Sequence, residues 1–199
     1  VTAPPLPPIP ARHRLAAAIV EALHDPRARQ ILADLARDDT AVRDWLGPDA
    51  DPRGAVQARA RRASATVATA VLGLGPATLA AALDDAALLF DAGLFFETHE
   101  VLEPHWRQAS LSEREALQGL IQIAVGYQHR VNGNARGARS LLADGVARVR
   151  GRRLRGMGLD SFAAAVARTI GPEGEEGGSP AAPPFPRPLA RGPGRPPPS

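Results

Sequence analysis

Apolar residues recur at three- and four-residue spacing from residue 11 to residue 170. Nowhere in that span do they alternate with polar residues long enough to predict a strand. Caps and breakers divide the pattern into helices. The first covers "ARHRLAAAIVEALH" and ends near Asp25-Pro26, which reads as an N-cap followed by a proline at the first helical position. A second covers 26–37, and "DTAVRDWLG" forms a short third that stops at Gly47-Pro48. A fourth, over roughly 53–72, is alanine-rich and carries "RARR" at 59–62. Gly73 to Pro76 then breaks the chain. Beyond it, "PATLAAALDDAALLFDAG" predicts a helix closed by Gly93 in a left-handed cap. "LFFETHEVLEPHWRQ" predicts another. "SEREALQGLIQIAVGYQHRVN" opens on Ser112 and Glu115, spaced as a capping box. "NARGARSLLADGVARVRG" starts from Asn134 as N-cap, and "DSFAAAVARTIG" lies between Asp160 and Gly171.

These elements predict an all-α fold, a compact helical bundle built of helical hairpins with disordered Pro-rich termini. Aligning Gly93 with Gly133, 40 residues on, pairs Thr98 with Ala138, Val101 with Leu141 and Leu102 with Leu142. Each copy reads helix, glycine turn, helix, a weakly tetratricopeptide-like period. Four regions follow. Residues 1–10 are half proline and predict an extended, disordered N-terminus. Residues 11–72 form an N-terminal helical extension. Residues 76–170 form the bundle. Residues 171–199 are too rich in proline, glycine and charge to bury a core, and predict a disordered tail.

Composition removes several chemistries. The chain has no cysteine, so disulfides, thiolate catalysis and Cys-based zinc sites are excluded. All 24 basic side chains are arginine, which cannot act as a neutral amine. With so much Ala, Gly and Pro, the arginine excess reads as a GC-rich coding bias, and the net charge is only +3. No run approaches the ~20 apolar residues of a membrane helix, and the start lacks the apolar core of a secretory signal. The expectation is a cytoplasmic, soluble protein.

Chemistry concentrates in "FFETHEVLEPHW", residues 95–106. At ~100° per residue, His99 and Glu103 stack one turn apart between Phe95, Phe96 and Trp106, with Glu100 on the edge of that face. An aromatic-lined face predicts at least partial burial, and a buried carboxylate needs a partner. Gln118, Gln122 and His129 fall near one another on the next helix, flanking its stripe of Leu117, Leu120, Ile121 and Ala124, and Tyr127 adds a donor. The expected site is therefore a polar cluster of His99, Glu100, Glu103, Trp106, Gln118, Gln122, Tyr127 and His129. Glu97 falls opposite, and its expected role is outward or between hairpins. His13 and His24 read as ordinary surface residues.

The cluster admits several functions. As a structural network, it would fix helix register, each polar group satisfied by another. As a metal site, His99 and Glu103 at i and i+4 would ligate zinc, manganese or iron. His129 would be the third ligand and Glu100 the catalytic base of a hydrolase-like reaction. As a binding module, it would recognise a small molecule or a protein partner. Nucleic acid is disfavoured. "RVRGRRLR" at 148–155 and "RARR" are arginine-dense, but no aromatics interleave them and helix-end arginines suit the dipole.

The combination F-x-x-G-x-x-F-E-x-H-E-x-x-E-x-x-W is carried by Phe90, Gly93, Phe96, Glu97, His99, Glu100, Glu103 and Trp106. It resembles the bacterial and archaeal family called domain of unknown function 309. "ALQGLIQIAVGYQH" resembles that family's A-L-Q-G-L-I-Q helix, and "GNARGARSLL" its glycine-asparagine turn. The resemblance covers roughly residues 80–148. It implies a compact helical bundle and no established reaction. Two positions depart from the family pattern. Gln128 separates Tyr127 from His129, and Pro104 sits inside the motif helix, where a kink is expected.

Overall fold

A computed structural model describes residues 3–47, 53–70, 78–171 and 181–187. Helices dominate them: α1 (Ala11–Ala22), α2 (Pro26–Arg37), α3 (Asp39–Leu46), α4 (Arg53–Val67), α5 (Leu79–Asp91), α6 (Phe95–Gln108), α7 (Leu111–Val131), α8 (Ala135–Val149) and α9 (Asp160–Ala167). The fold is an all-α compact bundle. The Gly73–Pro76 break lies outside the described residues. So does most of the Pro-rich tail, at 172–180 and 188–199.

The caps explain the boundaries. Asp25 accepts from the amides of Arg27 and Ala28, with Pro26 at the first helical position. Thr78 accepts from Ala81 N, and Asn134 from Gly137 N. At α7 the box sits two residues earlier than expected. The N-cap is Ser110, whose hydroxyl bonds Glu113 rather than a helix amide. The two glycine turns match closely. Gly93 and Gly133 both have φ of 76°. In each turn the residue after glycine donates to a carbonyl five residues back, Leu94 to Leu89 and Asn134 to His129, both at 2.9 Å. These are Schellman closures, which require the left-handed glycine. The helical pattern did not foretell β1 (Arg153–Leu154) and β2 (Met157–Gly158), an antiparallel two-residue ladder within and just after the arginine run. Arg155 and Gly156, both at positive φ, form the tight turn between them.

One apolar cluster runs through all of this, from Leu15 in α1 to Phe162 in α9. α1 packs on α4 and α6, and α4 on α2, α3 and α5, so the N-terminal helices share the core of the helices after them. The most extensive helix–helix contact is between α7 and α8, and glycine makes it possible. A Cβ on Gly145 would lie 2.8 Å from the Gly119 carbonyl oxygen, and one on Gly126 2.8 Å from Leu142 Cγ. Tyr127 is buried in the same region. It stacks on Phe95 and its hydroxyl lies 2.8 Å from Thr169 Oγ1. Burial raises its pKa, so the phenol stays protonated. Tyr127→Phe keeps the ring and removes the bond. The expected loss is about 1 kcal/mol, read as a lower urea midpoint at unchanged slope.

Candidate functional site

The buried stripe of α6 is Phe95, Glu97, Thr98, Val101 and Leu102. It is rotated by about a third of a turn from the face that the aromatics mark. Phe96 and Trp106 are only partly buried, so the aromatics misplace the centre of the core-facing side. The expectation for Glu97 is half met: it does face away from His99, but that direction leads inward, not to solvent. Glu97 is 1% exposed and receives a two-pronged bond from Arg59 of α4, Nε to Oε1 at 2.7 Å and Nη2 to Oε2 at 2.5 Å. Arg59 is itself 1% exposed. Its remaining nitrogen donates to the Pro4 carbonyl at 2.9 Å, and Gln128 Oε1 lies 3.5 Å from Nη2. The residue that departs from the Tyr-His pattern is therefore a wall of this site. Two planar groups meeting fork to fork give the geometry in which a buried ion pair is best compensated.

Neither Arg59 nor Gln128 was a candidate from sequence. The signal was present for Arg59. Val56, Arg59, Ala60, Ala63 and Val67 follow the spacing of one helix face, and all are buried. An arginine on an apolar stripe demands an acid opposite. Within "RARR", Arg59 is taken up by Glu97, and the exposed Arg61 donates to the Ala36 carbonyl and to Gln57. Within the 148–155 run, Arg148 pairs with Glu115 and Arg155 with Glu113.

A second bridge between the layers is His24, whose Nε2 lies 2.8 Å from Asp85 Oδ2 with both side chains largely buried. It is no ordinary surface histidine. His13 is more exposed. It sits 3.9 Å from Glu100 and edge-on to Phe96.

His99, Glu100 and Glu103 form a rim where α6 meets solvent. His99 is 23% exposed and the two acids 30% each. His99 Nδ1 lies 3.5 Å from Glu100 Oε1, and Nε2 lies 3.7 Å from Glu103 Oε2. Glu103 is also held by Arg107 at 2.7 Å. Contact with His99, and the charges of His99, His13 and Arg107, hold the Glu100 carboxyl below its ordinary pKa. The small stabilisation this represents is present at neutral pH and disappears as pH falls through that depressed value. α6 runs unbroken through Pro104, whose ring is exposed.

Other predicted residues are placed elsewhere. Tyr127 is turned to Thr169, and His129 Nδ1 is bonded at 2.8 Å to Asn134 in the α7–α8 turn. Gln118 and Gln122 are partly buried on α7, and Trp106 lies beneath the Arg114 guanidinium. His129 is thus not brought to His99 and Glu103. Among the described residues no group of three or more His, Asp or Glu is placed to hold a metal ion. Among the described residues five side chains keep a buried polar atom with no hydrogen-bond partner: His24 Nδ1, His99 Nδ1, Trp106 Nε1, Arg114 Nε and Gln122 Oε1.

Residues 83–141 match the family model described as a domain of unknown function, DUF309. This segment is similar to the DUF309 family, and the match does not extend to the rest of the chain. No curated protein and no solved structure matches the chain. The DUF309 segment begins within α5 and ends within α8, so it contains Glu97 and the rim but not Arg59. The acid of its F-E-x-H-E motif is completed by a helix outside the matched segment. Among the described residues, no helix is long and apolar enough to cross a membrane.

Proposed function

We propose that this protein is a recognition module, in which Glu97 holds the fold and the rim of His99, Glu100, Trp106 and Gln122 binds a small polar ligand. The observation that carries the reading is the two unpaired buried atoms Trp106 Nε1 on α6 and Gln122 Oε1 on α7, on the helices that carry and flank an acid held anionic. Buried polar atoms are almost always paired. A ligand that brings its own donors and acceptors supplies the missing partners.

The reading separates from a structural one by stability. Residues kept for binding leave the fold unharmed, or improve it, when replaced. The paired variant Glu100→Gln with Gln122→Leu is expected to melt within about 2 °C of the parent or above it. A fall of more than about 5 °C would assign the rim to the structural network instead.

A further inference from the structure

The sequence after Gly171 first reads "PEGEEGGSP", with no apolar anchor but proline, and then "AAPPFPR" at 181–187. That second stretch lies against the turn between α5 and α6. Phe185 is buried between Phe90 and Phe162, at centroid distances of 5.2 and 5.7 Å. Asp91 uses both carboxylate oxygens on it. Oδ1 accepts from the Phe185 amide and Oδ2 pairs with the Arg187 guanidinium, each at 2.7 Å. A proline-rich segment, an aromatic slot and a charged clamp beyond it are the elements by which folded domains hold polyproline segments. The fit is incomplete. A pocket of about 260 Å³, walled by Phe90, Asp91, Gly93 and Phe95, stays open beside Ala181 and Ala182. Methyl side chains are too small to fill it.

We propose that this face is a peptide-recognition site, and that its ligand is a proline-rich segment of another protein that carries Pro-Pro-Phe-Pro-Arg preceded by a large apolar residue. The chain's own segment occupies the site as an underfilling tethered competitor. Asp91 reads the arginine and one backbone amide, Phe90 and Phe162 read the phenylalanine, and the open pocket selects the residue two before the first proline pair ends. This site involves none of the rim residues, so the two proposals stand or fall separately.

The test uses the full chain and three labelled peptides, APPFPRP, LPPFPRP and APPAPRP, followed by fluorescence anisotropy. In the full-length variant Phe185→Ala with Arg187→Ala, which releases the tethered segment, LPPFPRP is expected to bind about tenfold tighter than APPFPRP. APPAPRP is expected not to bind, and a further Asp91→Ala change should abolish binding of the other two. The unmodified chain should bind LPPFPRP at least about tenfold more weakly than the released variant, because the tethered segment competes at high effective concentration. The proposal is overturned if the released variant remains folded and binds nothing up to about 1 mM. It is also overturned if that variant unfolds, because residues 181–187 would then be core. A dimeric parent chain that becomes monomeric in the released variant would assign the site to the tail of a second copy.

Discussion

Glu97→Ala is expected to lower the unfolding free energy by about 3–5 kcal/mol, since it leaves the buried Arg59 guanidinium without its counter-charge. For a chain of this size that corresponds to a melting temperature lower by roughly 10 °C. Arg59→Ala should cost a similar amount, because it strands the Glu97 carboxylate and removes the donor to the Pro4 carbonyl. The two together need not add. Replacing a buried ion pair with apolar side chains of similar volume is often neutral, because neither charge then has to leave water. Arg59→Met with Glu97→Leu is therefore expected to regain most of the loss. Differential scanning calorimetry on the four proteins checks both statements.

The second large effect concerns the α7–α8 crossing. Gly145→Ala places a methyl 2.8 Å from the Gly119 carbonyl oxygen, 2.7 Å from Ile123 Cγ1 and 3.1 Å from the Ile123 amide nitrogen. Two of those neighbours are backbone, so a rotamer change cannot absorb the clash and the helices must separate. The expected net cost is about 2 kcal/mol, even after the better helix propensity of alanine. Gly54→Ala in α4 is the control. Nothing lies within 4 Å of its Cβ, so it should be neutral or stabilise by up to about 1 kcal/mol. Urea unfolding should show a lower midpoint for Gly145→Ala and an unchanged or higher one for Gly54→Ala. If Gly145→Ala were also neutral, the helices would have room that the present packing does not give them.

The helices were legible in the sequence because their signals are local. Asp25-Pro26, Gly47, Gly93 and Asn134 each set a boundary through their own backbone or side chain, and the structure uses each of them there. The site was harder to read because its signal is split between distant segments. Glu97 and Arg59 are 38 residues apart, and although the apolar stripe around Arg59 calls for an acid, nothing local names Glu97 until α4 and α6 are packed together. A helical wheel ranks faces by side-chain type. In α6 the bulky Phe96 and Trp106 lie at the edge of the core, while the stripe that enters it is marked by Thr98, Val101 and Leu102. The glycines were read as turns and caps, whereas Gly119, Gly126 and Gly145 act inside helices. Their signal was also present, since glycine in a helix interior is costly unless another backbone needs the space. The tail reads as disordered by composition because nothing local shows that Phe185 has a slot waiting between Phe90 and Phe162.

The acid of the F-E-x-H-E motif is paired with Arg59, and the N-terminal helices and the DUF309 segment are therefore expected to unfold as one cooperative unit. A double-mutant cycle on Arg59→Met and Glu97→Leu, followed by urea unfolding, tests it most directly. The expected result is a large cost for each single change, a much smaller cost for the pair, and a coupling energy of at least about 2 kcal/mol in a single transition. Costs that add to within about 0.5 kcal/mol, or two separate transitions for the N-terminal helices and the rest, would contradict it.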